Sequence, residues 1–331
     1  MYVIKHLPED FIVKEISNIS SEGNGQYAYY ILKKRQHTTI EALQLLSKKF
    51  GIPLKNIGFA GNKDKNAISE QRISIFRGTK NFENIKSNNI ELKYIANGTE
   101  PISLGELIGN EFTIIIRNLE SDEIKTIQNI NYKTTKIPNH FGPQRFSKNN
   151  LFVGKAILKG DFKKAIELLL ENNGISEGRI REYLKKNRNN YIEALRIIPL
   201  RTRKLFVHSY QSFLFNEITN RYLAKNEKTK NIQIPIIGFG LEIEKIKNRQ
   251  LNQIIRKVLE EENINIRDFI TNQIPELASE GGFRDLFFDL RNLEILEIGD
   301  DELNKNKKKA KINFALPRGC YATVALKFIL G

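Results

Sequence analysis

The chain has 331 residues, of which 40% are hydrophobic, so it is long and apolar enough to bury a core and is not a disordered polymer. Lys and Arg number 53 against 38 Asp and Glu, a net charge of +15 that favours a polyanionic partner such as nucleic acid. The single cysteine, Cys320, excludes an internal disulfide framework and a zinc site built from cysteine pairs.

The first third of the chain alternates strand and helix signals. Thr38 and Glu41 form a capping-box pair that opens a predicted helix, and Gly51 ends it. The unbroken run Thr113–Ile116 predicts a strand buried on both faces. Segments rich in β-branched and aromatic residues predict strands at 11–16, 27–32, 57–60, 68–76, 90–96 and 111–117.

The middle of the chain has a helical pattern, and strand signals return near its end. Ser121 opens a helix that carries Ile124, Ile127 and Ile130, and strands are predicted again at 285–290 and 311–316. Between them, apolar residues at helical spacing predict helices at 151–158, 162–171, 180–186 and 205–223. We therefore predict an α+β protein whose first domain, 1–135 and 284–331, is interrupted by a mainly helical insertion, 136–283.

Several common functional motifs do not occur in this sequence. It contains no P-loop, no dinucleotide-binding glycine pattern, no H-E-x-x-H and no G-x-S-x-G. The histidines lack metal-ligand spacing, so no metal centre is expected. The basic segment 304–311 is interpreted as a solvated hairpin tip.

The N-terminus has no signal-peptide-like apolar run and no segment resembles a membrane span, which predicts a cytoplasmic protein with no membrane partner.

The polar loop 61–66 (GNKDKN), between two predicted strands, is the candidate catalytic segment. Its residues are ordinary turn formers, so the loop alone does not establish catalysis. If Lys63 and Lys65 surround Asp64 with positive charge, the carboxylate is held in its ionised form beside RNA and can act as a nucleophile.

This loop and other segments together resemble the TruD family of tRNA pseudouridine synthases. The segment 58–67 with Gln71 is similar to the family signature G-[FY]-A-G-x-K-D-[KR]-x-A-x-x-x-Q. Five further blocks follow the family's order: Lys5 with 8–15, then 104–112, 138–146, 209–216 and 316–323. The blocks run from Lys5 to Thr323 and so cover nearly the whole chain. One departure is Cys320, which stands where serine is usual.

The resemblance implies a pseudouridine-synthase catalytic domain with a mainly antiparallel mixed sheet, plus an inserted TRUD domain. It implies that Asp64 is the nucleophile and that Lys5 assists it, although a surface lysine is an equally open interpretation of Lys5. An extruded base needs an aromatic face and a hydrogen-bond partner. The resemblance assigns these substrate-binding roles to Phe11, Asn110, Phe112 and Tyr321, and for Phe112 a core role remains open.

The implied partner is tRNA, with uridine 13 of the D arm as the family's usual target and no cofactor, nucleotide or metal. Phosphate contacts are expected in a basic groove between the two domains, with candidates at Arg145, Lys148, Arg201, Arg203 and Lys204. Two alternatives are considered. A non-catalytic RNA-binding or chaperone protein on the same fold is disfavoured by the intact loop. A metal-dependent RNA nuclease is disfavoured because lysines, not carboxylates, surround Asp64 in the sequence.

Overall fold

The structure is a computed structural model that describes residues 1–18, 23–85, 87, 89–129, 136–146, 149–172, 174–226 and 229–331. Within these ranges the strands are β1 (Phe11–Ile16), β2 (Tyr27–Arg35), β3 (Ile57–Phe59), β4 (Ile68–Phe76), β5 (Ile90–Gly98), β6 (Gly109–Leu119), β7 (Lys136–Pro138), β8 (Gln233–Ile236), β9 (Gly282–Asp285), β10 (Phe287–Asp289), β11 (Arg291–Asp300) and β12 (Lys308–Pro317). The α-helices are α1 (Thr39–Phe50), α2 (Ser121–Gln128), α3 (Asn150–Leu158), α4 (Phe162–Leu170), α5 (Ile175–Lys186), α6 (Tyr191–Arg196), α7 (Leu200–Lys225), α8 (Arg249–Glu261) and α9 (Ala322–Leu330).

The chain divides into two compact units. Unit 1 comprises Met1–Ile137 and Asp289–Gly331, and unit 2 comprises Pro138–Phe288. The boundaries expected from the sequence were 135/136 and 283/284. Short ladders pair β7 with β10 and β8 with β9. No helix within the described ranges is long and apolar enough to cross a membrane.

Unit 1 is built on a mixed, mainly antiparallel sheet with the order β11-β12-β6-β1-β4-β2-β5, and β3 pairs with β4. β1 runs parallel to β4 and antiparallel to β6, so this central strand joins the two halves of the sheet. Helix α1 covers one half through Ala42, Leu43 and Leu46, which pack on apolar residues of β2, β4 and β5. The α+β fold predicted from the sequence is confirmed.

Unit 2 is mainly helical, and the long helix α7 passes through its core. Buried side chains of α3 and α8 pack against α7, and those of α4 and α6 belong to the same apolar cluster. Gly154 on α3 allows the closest approach, because a Cβ atom there would lie 2.1 Å from the backbone oxygen of Phe206 on α7. A side chain larger than hydrogen at residue 154 would therefore push the two helices apart.

Most predicted elements are confirmed, and the differences have local causes. The predicted strands at 11–16 and 68–76 have the observed bounds of β1 and β4, whereas the predicted strand 285–290 is interrupted at Leu286, between β9 and β10. In β6, Ile114 and Ile116 are fully buried but Ile115 is only half-buried, so burial on both faces is not complete. Ile130, predicted on α2, lies outside the described residues. Sequence reasoning missed α6, α8, α9, β7, β8 and β11.

The basic segment 304–311 lies at the β11–β12 turn and continues into β12, as the hairpin interpretation predicted. Three of its five lysines are paired with carboxylates of the same unit. Lys308 contacts Asp300 at 2.7 Å, Lys309 contacts Glu302 at 2.8 Å, and Lys307 contacts Glu120. These ion pairs compete with any phosphate contact of this turn.

Candidate active site

The loop that carries Asp64 connects β3 to β4 and is fixed to the fold by buried hydrogen bonds. Gln71 on β4 donates from Nε2 to the backbone oxygen of Gly61 at 3.0 Å. Thr39, the first residue of α1, donates its hydroxyl to Gln71 Oε1 and accepts from the backbone N–H of Lys63, each at 2.9 Å. Because Thr39 and Gln71 lie on α1 and β4, the start of this loop is anchored to rigid elements.

The Lys63 side chain points into unit 1 and not toward the Asp64 carboxylate. Its ammonium lies 2.9 Å from Glu15 Oε2 and donates to Asn110 Oδ1 at 2.6 Å. Lys65 is paired with Glu41 at 3.2 Å. Lys63 and Lys65 were expected to surround Asp64 with positive charge, but the ammonium group of each is paired with another carboxylate.

The cation in contact with Asp64 is Lys5, which lies 59 residues earlier in the chain. Lys5 Nζ donates to Asp64 Oδ2 at 2.5 Å, and the Asp64 side chain is 43% exposed. The carboxylate is thus held by one charged hydrogen bond while its remaining surface stays open to a ligand. The structure brings together the two residues expected to be catalytic.

The backbone at Lys5 adopts a left-handed conformation, with φ of 58°, which a non-glycine residue adopts only when its surroundings require it. Those surroundings are hydrogen bonds on both sides. Val3 exchanges backbone hydrogen bonds with Arg117 of β6 at 2.9 and 2.8 Å, and the N–H of Leu7 donates to Asp10 Oδ2 at 2.9 Å. Arg117 and Asp10 are in turn joined by a buried ion pair of 2.8 Å, which ties the Lys5 segment to the sheet.

Phe11 and Phe112 lie next to this pair on adjacent strands. The Lys5 ammonium is 4.2 Å from the centre of the Phe11 ring, and Phe11 meets Phe112 edge to face at 5.9 Å. Phe112 also stacks on Phe314 of β12 at 5.5 Å. Phe11 is 3% exposed and Phe112 7%, so each ring contributes to the core and presents little surface to a base in this state.

Asn110 and Tyr321 lie at the same end of the sheet. Asn110 is opposite Glu15 on β1 and opposite Leu316 on β12. Because an ammonium only donates, the bond from Lys63 fixes the orientation of the Asn110 amide: Oδ1 faces Lys63 and the Nδ2 amino group points away. Tyr321 is half-buried and occupies the N-cap position of α9, four residues after Pro317, which pairs with Gly109.

Sequence reasoning missed Lys34, which lies beneath the loop. Its Nζ donates to the backbone oxygens of His37, Asp64 and Lys63 at 2.7, 2.9 and 3.3 Å. Burial lowers the pKa of Lys34 to about 8, against an opposing effect of the Asp64 charge. The signal was available, because Tyr30, Leu32 and Lys34 alternate along β2 on its inward face and a lysine in such a register demands an explanation.

The phosphate-contact candidates in unit 2 differ in availability. Arg203 is buried, donates to the backbone oxygen of Ile198 and pairs with Glu276 at 2.7 Å, so its proposed phosphate role is dropped. Arg145 donates to Ser212 Oγ at 3.1 Å. Arg201 and Lys204 are exposed, and Lys148 lies outside the described residues.

Among the described residues, no group of three or more His, Cys, Asp or Glu is arranged to hold a metal ion.

Comparison with known proteins gives a consistent result along the chain. The family model for tRNA pseudouridine synthase D (TruD) matches residues 2–184, 172–233 and 223–329. A tRNA pseudouridine synthase D of Aquifex aeolicus is 28% identical, with 98% of this chain and 97% of that protein covered. A probable tRNA pseudouridine synthase D of Thermococcus sibiricus is 30% identical, with 99% and 94% covered. A TruD crystal structure from Methanosarcina mazei superimposes with a TM-score of 0.73 at 28% identity, covering 99% of this chain and 93% of that one.

Proposed function

The chain belongs to the tRNA pseudouridine synthase D family, and we propose that it isomerises uridine to pseudouridine in tRNA, with Asp64 as the nucleophile. The observation that carries the proposal is the Lys5–Asp64 pair: an exposed carboxylate on an anchored loop, held by a lysine at 2.5 Å. We assign this chemistry to unit 1 and treat unit 2 as the inserted TRUD domain. The proposed target is uridine 13 of the D arm, the usual target of the family.

Asp64 is proposed to attack the target uridine so that the bond between N1 of the base and C1′ of the ribose breaks. The base then rotates, C5 forms a bond to C1′, and the bond between Asp64 and the substrate breaks, which restores the free carboxylate. C5 loses its hydrogen to solvent and N1 gains a proton. Substrate and product have the same atoms and no electrons are transferred, so the balanced reaction requires no redox cofactor and no nucleotide. Lys5 orients the carboxylate and stabilises the negative charge that moves during the reaction.

Asn110 is proposed to recognise the extruded base through the amino group of its amide. Since Lys63 holds Oδ1, the side chain presents a donor and is complementary to a carbonyl oxygen of uracil. Cytosine carries an amino group in place of the uracil 4-carbonyl, and two donors facing each other would be repelled. The Lys63 ion pair with Glu15 thereby supports base selection from inside the fold.

Phe11, Phe112 and Tyr321 are proposed to form the apolar side of the base pocket. The Phe11 ring is buried beneath the Lys5 ammonium, so stacking of a base on it requires the ring to become exposed, and the base would then lie close to the Lys5–Asp64 pair. A base that has left its stack gains back part of the lost energy, about 1–3 kcal/mol, when it stacks on an aromatic side chain. This arrangement favours a uracil held between an aromatic surface and the nucleophile.

The net charge of +15 supports tRNA as the partner through phosphate contacts that do not read sequence. Exposed basic residues of unit 2, such as Arg201 and Lys204, are candidates for these contacts. We expect affinity for tRNA to fall steeply as salt concentration rises, as it does for proteins that displace counterions from nucleic acid.

The proposal is tested with unmodified tRNA that carries tritium at C5 of uridine, because closure of the C5–C1′ bond releases that hydrogen to water. Wild-type protein should release tritium, and Asp64→Asn, which keeps the size of the side chain but not its charge, should release none. Position 13 is examined by repeating the assay with uridine 13 replaced by cytidine, which should abolish release.

The outcomes separate the parts of the proposal. Release by both proteins would keep the reaction but remove Asp64 as the nucleophile. Release from the tRNA with cytidine at position 13 would reject that target. A folded wild-type protein that binds tRNA and releases no tritium would favour the non-catalytic RNA-binding alternative.

A further inference from the structure

We propose that Lys34 is a positioning residue for Asp64, and that its ammonium group keeps the nucleophile presented by clamping the backbone on both sides of it. This inference rests on the proposed function. Lys34 lies at the end of β2, is 1% exposed, and approaches the loop from inside the fold. Its ammonium group therefore lies inside the fold and not at the surface.

The contacts of Lys34 are selective for the backbone at the nucleophile. The oxygens of Lys63 and Asp64 belong to the two peptide groups that flank the Asp64 Cα atom, and Lys34 Nζ donates to both, at 3.3 and 2.9 Å. Holding both peptide groups restricts rotation about the bonds of this Cα and therefore the direction of the carboxylate. Thr39 and Gln71 anchor the start of the loop, but the peptide group that follows Asp64 is held by Lys34.

The third contact, to the oxygen of His37 at 2.7 Å, completes the coordination of the ammonium. An ammonium has three N–H donors and meets three carbonyl oxygens, whereas a neutral amine has two donors and would leave one buried oxygen unpaired. The charged form is thus required for the complete clamp. Burying a lysine is unfavourable unless it is compensated, and the three carbonyl oxygens at the loop provide that compensation.

The charged groups that act on Lys34 lie on the loop and on α1. Asp64 on the loop and Glu41 on α1 favour the charged form, while Lys63 opposes it, and burial exceeds these effects and lowers the Lys34 pKa to about 8. Deprotonation therefore occurs just above neutral pH. We expect the catalytic rate to decline when the pH exceeds this value, because the clamp then loses a donor and its charge.

The first test compares Lys34→Met and Lys34→Arg with wild type by tritium release, separating kcat from KM. Lys34→Met should lower kcat by about 10- to 100-fold, the effect of a misplaced catalytic group, with little change in KM for tRNA. Lys34→Arg keeps a permanent charge and should retain more activity. Lys33→Met is the matched control: it is the adjacent residue, its exposed side chain pairs loosely with Glu91 at 3.7 Å, and kcat should be unchanged.

The second test is the pH dependence of kcat, measured from about pH 6 to about pH 10. As pH rises, the kcat of wild type and of Lys33→Met should fall with an apparent pKa near the Lys34 value of about 8. Lys34→Arg should raise this apparent pKa by at least about one unit. The pKa of Lys34 is measured directly by NMR of protein with ¹³C-labelled lysine, with the resonance assigned by its absence in Lys34→Arg. Agreement between the kinetic and NMR values is the expected result.

The possible failures are distinguishable. If wild type releases no tritium at any pH, the proposed function fails and the role of Lys34 fails with it. If wild type is active but a folded Lys34→Met retains its kcat, Lys34 is not a positioning residue. If neither variant folds, the wild-type measurements decide, and an alkaline limb that does not coincide with the NMR titration of Lys34 overturns the inference.

Discussion

Replacing Arg117 with methionine should destabilise unit 1 strongly, because this arginine neutralises buried carboxylates. Its guanidinium contacts Asp10 at 2.8 Å and Asp301 and Glu302 at 3.0 Å each. The side chains of Arg117, Asp10 and Asp301 are only 3%, 1% and 0% exposed. The variant would leave Asp10 and Asp301 buried without their shared cation.

The expected loss of unfolding free energy is about 3–5 kcal/mol, the cost of removing one partner from a buried ion pair. For a domain of about 150–250 residues each kcal/mol lowers the Tm by about 2–4 °C, so we expect a shift of roughly 6–20 °C. Asp10→Asn should cost less, because Arg117 would still pair with Asp301 and Glu302. Methionine has a similar length and leaves little void.

Unfolding is measured by calorimetry, with separate transitions allowed for the two units. The control is Lys125→Met, which removes a cation from the exposed pair of Lys125 with Asp122 and should leave the unfolding transition nearly unchanged. Arg117→Met should also lower activity, because the Asp10–Arg117 pair anchors the segment that carries Lys5. A loss below about 1 kcal/mol for Arg117→Met would refute the view that this network compensates buried charge.

Three further predictions concern the site, the core and acid stability. Lys5→Met should lower kcat by about 100-fold while leaving thermal unfolding nearly unchanged; an unchanged kcat would remove Lys5 from the reaction. Gly154→Ala should destabilise unit 2 by about 1–3 kcal/mol through the clash with the backbone of Phe206. Gly178→Ala, which has open space around its Cβ position in α5, should instead stabilise unit 2 by about 0.5–1 kcal/mol. Equal effects of the two variants on unfolding by denaturant would contradict the packing argument. Burial alone would raise the pKa of Asp301, but hydrogen bonds from its neighbours outweigh burial and lower the pKa to about 2. The stability that this carboxylate contributes is therefore present above its ordinary pKa of 3.8 and is lost as pH falls through 2. In acid unfolding, the free energy of unfolding of Asp301→Asn should depend less steeply on pH in that window than that of wild type.

Local chemistry in the sequence was sufficient for much of unit 1. The capping box of α1 forms as predicted: Glu41 N–H donates to Thr38 Oγ1 at 3.1 Å and Thr38 N–H donates to Glu41 Oε2 at 2.7 Å. Gly51 ends the helix with φ of 66°. These features depend on residues a few positions apart, so no knowledge of distant contacts was needed.

The missed elements had weaker or ambiguous signals. Helix α8 has Leu251, Ile254, Ile255 and Val258 on one buried face and Asn248 as N-cap, a pattern that the sequence contains and that was overlooked. Helix α9 is a short, almost wholly apolar segment, for which periodicity does not separate helix from strand. Its helical state depends on packing against other elements of unit 1.

The fold class, the family and the loop that carries Asp64 could be predicted from the sequence, because they depend on local patterns and on blocks in a fixed order. The charge relations at the site were decided by tertiary structure. Lys63 and Lys65 are adjacent to Asp64 in sequence but pair with Glu15 and Glu41, while the cation at the carboxylate comes from Lys5. Lys34 reaches the loop from β2 because β2 and β4 are adjacent strands and its side chain faces inward. Electrostatic partners are selected by distance in space, and strand order and side-chain direction set that distance.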